Sequence, residues 1–227
     1  ILEEGPDTVL AFLMEPVGGA STGALVAPDS YYGRIRDICD EFGVLLIYDE
    51  VMTGAGRTGK FLAAEHWGIA PDIVAMSKGF GAGYAPLGAI VAGARLVEPV
   101  LNAGGFLHGF TYAGNPLACS AGLAVLEELE DQGLIENAAK MGDVLMAELQ
   151  TLMARYPFIG DVRGKGLLTA FEFVSDRDTM EPLPPELEAH ARLVELAESS
   201  DAGKLKLSAD ETLSASREDV LAKLTSV

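Results

Sequence analysis

The sequence predicts an α/β fold: a mostly parallel sheet with flanking helices, followed by a smaller α+β domain. Three observations predict it. Four runs of strand length, at residues 9–14, 44–48, 73–76 and 89–92, are apolar throughout, as expected for strands covered on both faces by helices. A stretch of helical periodicity separates the first two runs, giving a strand, helix, strand unit. Beyond Pro157 the pattern changes to an interleaved strand and then to acidic, helix-prone sequence.

In the first helix, Asp29-Ser30 is the expected capping pair. Tyr32, Ile35, Ile38, Cys39 and Phe42 follow at helical spacing, and Gly43 is the stop. From Pro116 two long helices are expected, at residues 117–130 and 134–156, separated by Asp131-Gln132-Gly133. The second is long enough to link two domains. Residues 166–174 read as a strand, with Leu167, Ala170 and Phe171 interleaved with Thr169 and Glu172. A large domain is therefore expected over residues 1–154 and a small one over 155–227. Pro182-Leu183-Pro184-Pro185 and Ser199-Ser200-Asp201-Ala202-Gly203 read as surface loops around a helical stretch, and no internal repeat is visible.

A chain of 227 residues, 49% hydrophobic, can bury a sizeable core. Its net charge of -18 opposes contact with phosphate backbones and anionic lipid, so neither nucleic acid nor membrane is an expected partner. No secretory signal and no apolar stretch of about 18 residues is present, and a reducing cytoplasm is the expected location. Cys39 and Cys119 are too few for a disulfide framework or a metal site. Each falls on an apolar helical stripe and reads as a small buried hydrophobe. His66 and His190 lack partners at metal-ligand spacing. A chain that opens at Ile1, close to an ordered apolar run, is expected to be part of a longer protein.

The chemistry concentrates where strands end. Lys78 follows the third apolar run in Ala75-Met76-Ser77-Lys78-Gly79-Phe80-Gly81, and Asp49 ends the second in Tyr48-Asp49-Glu50-Val51. Parallel strands deliver such residues to one crevice, where an amine and a carboxylate can hold a cofactor between them. An aldehyde cofactor needs a lysine amine, partly desolvated, for its resting Schiff base, and pyridoxal phosphate is the candidate. The glycines at 79, 81 and 83 leave room for a planar ring. Taken alone, Lys78 reads equally as an exposed lysine opening a glycine loop, and Asp49 equally as a cap.

Gly54-Ala55-Gly56-Arg57-Thr58-Gly59 matches G-x-G-x-x-G, yet Asp49 to Thr53 separate it from its strand and Phe61-Leu62 follow. A dinucleotide site is a poor fit. In His108-Gly109-Phe110-Thr111-Tyr112-Ala113-Gly114-Asn115-Pro116 the Thr111 hydroxyl could bind a phosphate beside a helix start, or merely cap it. Glu15, ending the first strand in Glu15-Pro16-Val17-Gly18-Gly19, reads either as a residue orienting substrate or as part of a turn.

Seven segments in order carry a more specific signal: Glu15-Pro16-Val17, Leu46-Ile47-Tyr48-Asp49-Glu50-Val51, Gly56-Arg57-Thr58-Gly59, Pro71-Asp72-Ile73, Ser77-Lys78-Gly79, Pro86-Leu87-Gly88-Ala89 and Thr111-Tyr112-Ala113-Gly114-Asn115-Pro116. Together they resemble the class III pyridoxal-phosphate aminotransferases, of the ω-amino acid and ornithine aminotransferase kind. The likeness covers residues 1 to about 175, with Val162-Arg163-Gly164-Lys165-Gly166-Leu167 continuing it into the small domain.

The resemblance implies fold type I and pyridoxal 5'-phosphate. It also implies Lys78 as Schiff-base lysine and proton shuttle, Asp49 on the pyridine nitrogen, and Val51 packed on the ring. It implies a homodimer in which Thr111 binds the phosphate of the neighbouring subunit's cofactor, and Glu15 near the substrate. Two departures stand out. The Ser-Gly phosphate loop and stacking aromatic of family members precede the position of Ile1. Where the family has an arginine and two prolines before its last helix, this chain reads Leu205-Lys206-Leu207-Ser208-Ala209-Asp210-Glu211-Thr212-Leu213-Ser214. The expected reaction is transamination between an amine or ω-amino acid and a keto acid such as pyruvate or 2-oxoglutarate. The alternatives are another pyridoxal reaction on the same fold (aminomutase, epimerase or decarboxylase) and a non-catalytic fragment or split-enzyme subunit.

Overall fold

Four of the apolar runs form one sheet, in the order β1 (Ala11–Met14), β2 (Leu45–Asp49), β3 (Ile73–Met76) and β4 (Ala89–Ala92). The structure, a computed structural model, describes residues 1–188. The loop expected at 199–203, the helical stretch before it and residues 205–214 lie outside the described residues.

β1 and β2 pair in parallel, Ala11 opposite Leu45 and Met14 opposite Tyr48. β2 and β3 continue in parallel, Ile47 opposite Ile73 and Asp49 opposite Ala75. β4 departs from the parallel expectation: it runs antiparallel to β3, Met76 opposite Ala89 and Ile73 opposite Ala92. The cause lies in the connection. A parallel return needs a crossover, usually a helix, whereas residues 77–88 hold only the 3-10 turn Lys78–Phe80 and a further turn after it.

Between β1 and β2 runs α1 (Asp29–Phe42), closed by Gly43 in the left-handed conformation at φ 68°. Its N-cap is Pro28 rather than the expected Asp29-Ser30 pair. The Asp29 carboxylate instead accepts from Trp67 Nε1 at 3.0 Å. Trp67 in turn stacks on Tyr32, ring centroids 3.6 Å apart.

Alternation along β2 sends Leu46 and Tyr48 into the core under α1, where they meet Cys39, Val44 and Ala64. Both are fully buried, each side chain being worth roughly 1.5–3 kcal/mol of transfer free energy. The edge strands are not covered on both faces among the described residues: Leu13, Ile90 and Val91 stay exposed. Asp72 locks the amino ends of β2 and β3. Its carboxylate takes the Leu46 N–H at 2.8 Å and the Arg36 guanidinium at 2.9 Å, and it also pairs with Arg95.

Further along come α2 (Ala94–Asn102), α3 (Pro116–Asp131), α4 (Leu134–Arg155), β5 (Ile159–Lys165), β6 (Leu168–Asp176) and β7 (Glu181–Pro182). The chain divides into two compact units, Ile1–Glu172 and Phe173–Val227, so β5 and the first half of β6 fold with the first unit. In the second, Val174 and Asp176 pair antiparallel with Pro182 and Glu181. Cys39 is buried as expected, but Cys119 is exposed on α3. No described helix is long and apolar enough to cross a membrane.

Candidate active site

The parallel pairing of β2 and β3 brings their carboxyl ends side by side. The ladder extends one step past Asp49, Glu50 N donating to the Ala75 carbonyl at 2.9 Å, and Lys78 follows three residues after Ala75. Asp49 is half-buried. Its Oδ1 accepts the Val51 N–H at 3.0 Å, which fixes the carboxylate at the strand end.

Neighbouring Glu50 points to the opposite side and is buried. One oxygen accepts from the Thr53 hydroxyl and from Ala63 N at 3.0 Å, the other from Ala64 N at 2.9 Å. Glu50 thus ties the loop after β2 to the 3-10 turn Ala63–Trp67. The sequence assigned it no role. Its position beside Asp49 on an alternating strand was the available signal.

Lys78 occupies the left-handed region at φ 45°, a conformation costly for a residue with a Cβ and often found at functional sites. It is exposed rather than partly desolvated, which corrects the sequence expectation. β3 ends at Met76, and Lys78 stands beyond it and lines a cleft of about 380 Å³. Val51, Met52, Gly79 and the loop 54–57 line it together with Leu129, Leu134, Ala138, Leu167 and Leu168.

The G-x-G-x-x-G stretch opens no helix and is a run of turns, in keeping with the poor dinucleotide fit. Its glycines serve the approach of α4. A Cβ on Gly59 would fall 2.7 Å from the Ala139 Cα, and one on Gly56 3.1 Å from Ile135. Leu167 N donates to the Arg57 carbonyl at 3.0 Å, joining the β5–β6 turn to the same loop. His66 Nε2 donates to the Thr58 carbonyl at 3.1 Å, and burial pushes its imidazole below the usual range, with Lys165 and Lys60 adding to the effect.

Glu15 closes a turn rather than meeting an arginine among the described residues: Oε2 accepts the Gly19 N–H at 2.8 Å. Arg163 grips the same turn through the Gly23 carbonyl at 2.8 Å, while pairing with Asp161 and Glu172. Thr111 does not reach the cleft. It lies exposed in a turn at 111–114, and the free N–H groups of α3 at Leu117 and Ala118 are taken by the Asn115 side chain instead. Thr111 is flanked by exposed apolar side chains, Phe106, Leu107, Phe110, Tyr112 and Leu117. Of the five expected site residues, Val51 and Lys78 thus share the cleft. Asp49 is anchored to Val51, Thr111 stands apart, and Glu15 lies next to the lining: a Cβ on Gly19 would fall 2.8 Å from both its Oε1 and the sulfur of Met52.

The arrangement fits an aldehyde cofactor. An accessible amine stands beside an apolar cleft, and a fixed carboxylate with one oxygen uncommitted among the described residues ends the adjacent strand. No cluster of potential metal ligands occurs among the described residues.

Comparison with known proteins gives a consistent picture. Residues 1–199 match the family described as Aminotransferase class-III. The taurine–pyruvate aminotransferase of Bilophila wadsworthia is 44% identical over 188 residues, 81% of this chain and 41% of that protein. An (S)-enantioselective omega-transaminase from Thermomicrobium roseum superposes with a TM-score of 0.83 at 42% identity, over 87% of this chain and 44% of that one. An amine transaminase from an uncultivated Pseudomonas species, solved in its PLP-bound form, gives 0.83 at 45% identity, over 87% and 45%. The chain spans about two fifths of the length of the curated relatives it matches.

Proposed function

The chain belongs to the class-III aminotransferase family, and from that premise we propose that it serves transamination between an amine or ω-amino acid and a keto acid such as pyruvate or 2-oxoglutarate. The fold is the α/β fold type I of pyridoxal-phosphate-dependent transaminases, and pyridoxal phosphate is the cofactor. One observation carries the reading: Lys78 and Val51 line a single cleft at the carboxyl ends of two adjacent parallel strands, with Asp49 fixed to Val51.

Pyridoxal phosphate, when bound, supplies an aldehyde that condenses with amines and a pyridinium ring that accepts an electron pair. Asp49, with Oδ1 on the Val51 N–H, offers its other oxygen to a ring N–H and favours the protonated ring. Val51 gives the ring an apolar surface. The Lys78 Nζ would act as the base that takes the proton from the substrate carbon, holds it, and delivers it to a neighbouring position. Its glycine-rich surroundings allow the side chain to move between those two places.

Thr111 acts in the cleft of a neighbouring copy, donating its hydroxyl to the phosphate there, in a homodimer. Its distance from this chain's own cleft and its exposed apolar neighbours support that arrangement, since such a surface is what a subunit contact buries. Glu15 contributes a carboxylate near the substrate from the end of β1. Two free cysteines accord with a reducing cytoplasm.

Borohydride reduction of the cofactor-loaded protein followed by peptide mapping tests the reading. The expected result is a pyridoxyl adduct on Lys78, and pyridoxamine phosphate after an amine donor is added. A folded protein that traps cofactor on Lys78 yet turns over donors without any keto acid would contradict transamination.

A further inference from the structure

Glu50 is an acidic side chain with 1% of its surface exposed, and the reaction outlined above gives it no task. Both of its oxygens face donors: Oε2 takes the Thr53 hydroxyl and Ala63 N, and Oε1 takes Ala64 N. No lysine or arginine pairs with it among the described residues. Burying a carboxylate without a cation is unfavourable, and apolar packing could join the same loops with less desolvation. Glutamine could not replace it, because the amide NH2 would face at least one backbone N–H.

The backbone of Glu50 is pinned as firmly. Its N–H donates to the Ala75 carbonyl at 2.9 Å, and its carbonyl accepts from Gly54 N at 2.9 Å. One peptide further on, the Val51 N–H holds Asp49 Oδ1 at 3.0 Å. The direction of that N–H is set by the planar peptide joining Glu50 to Val51, so whatever fixes residue 50 also aims the Asp49 carboxylate. The same loop reaches the lysine turn. A Cβ on Gly54 would fall 2.8 Å from the Glu50 carbonyl oxygen, and one on Gly79, next to Lys78, 3.3 Å from the Ala55 Cβ.

We propose that Glu50 is a positioning residue: its buried carboxylate locks the Glu50–Val51 peptide, and the Val51 N–H then holds Asp49 aimed at the cofactor ring. This rests on the transaminase reading above. Asp49 and Glu50 are successive residues at the end of β2, so their side chains leave on opposite faces. One carboxylate meets the cofactor, and the other supports it from behind without touching it.

The experiment uses the parent, Glu50→Gln, Asp49→Asn and the double variant. It measures pyridoxal phosphate affinity by calorimetry and the pH at which the absorption of the bound cofactor changes. Glu50→Gln should weaken binding about 10-fold and move the spectral transition in the same direction as Asp49→Asn does. Because Glu50 acts through Asp49, the double variant should lie within about 2-fold of Asp49→Asn alone. A general loosening of the fold would instead multiply the two losses. Thr53→Val and Thr53→Ser carry the same decision should Glu50→Gln fail to fold: loss of the hydroxyl should reproduce part of the spectral shift, and serine should restore the parent's value. Multiplied losses in the double variant, or a spectral transition unmoved in Glu50→Gln and Thr53→Val, would overturn the role of Glu50 alone. A parent that binds no pyridoxal phosphate would defeat the transaminase reading, and this role with it.

Discussion

Gly142 of α4 lies directly against Gly166 at the tip of the β5–β6 turn: a Cβ on Gly142 would come within 2.4 Å of the Gly166 carbonyl carbon. On its other side Gly166 meets the Thr58 backbone, where a Cβ would fall 2.3 Å from the Thr58 carbonyl carbon. Helix, turn and loop are thus stacked backbone on backbone behind the cleft wall. Gly142→Ala should destabilise by about 1–3 kcal/mol, because none of the three backbones can yield alone. Gly33 in α1 has open space around it, so Gly33→Ala should stabilise by up to about 1 kcal/mol through helix propensity. Urea denaturation of the two variants should show midpoints moving in opposite directions.

Lys78 sits at φ 45° and is exposed, so its removal should not harm the fold. Lys78→Gly should be more stable than Lys78→Ala by about 1 kcal/mol, since only glycine occupies this region without strain. Both should lose borohydride trapping. Thermal melts together with trapping yields would separate the stability effect from the chemistry, and equal melting temperatures would show that the left-handed backbone relaxes.

The Tyr48 hydroxyl is buried and has no hydrogen-bond partner among the described residues; burial pushes it up to about 12. The folded state therefore keeps a proton that the unfolded chain gives up near pH 10. Stability from this group is complete below pH 10 and declines as pH rises towards 12. Tyr48→Phe should be neutral or stabilising by on the order of 1 kcal/mol at pH 7, and should remove part of the alkaline loss. Chemical denaturation between pH 8 and about 11, on both proteins, checks the two statements.

His66 has its imidazole shifted down, chiefly by burial. The unfolded chain binds a proton near pH 6.5 that the folded chain takes up only at lower pH. Stability from this position is present above pH 6.5 and is lost as pH falls below it. His66→Gln keeps a donor near the Thr58 carbonyl and cannot titrate, so its stability should fall less between pH 7 and about 5. Parallel slopes for the variant and the parent would assign the acid sensitivity elsewhere.

Strands and long helices were legible because their signals are local. β3 and β4 fall on the expected residues, α3 and α4 within one residue of theirs, and Gly43 stops α1. β5 was not legible: Gly160, Asp161, Arg163, Gly164 and Lys165 break any alternation, and its place is set by α4 and β6. α2 was missed as well, with Pro99 inside it. The reversed direction of β4 depended on a connection at 77–88 that holds no crossover helix, which the apolar run itself does not express.

By itself the sequence singled out candidate residues for chemistry and determined the family to which their order belongs, because residue type and spacing are written along one dimension. Only the tertiary structure decided which of them meet. Register between β2 and β3 set Asp49 beside Ala75, and glycine contacts let α4 and the β5–β6 turn close a cleft around Lys78 and Val51. Such proximity arises from packing between segments far apart in the chain, where backbone approach rather than local pattern sets the distance.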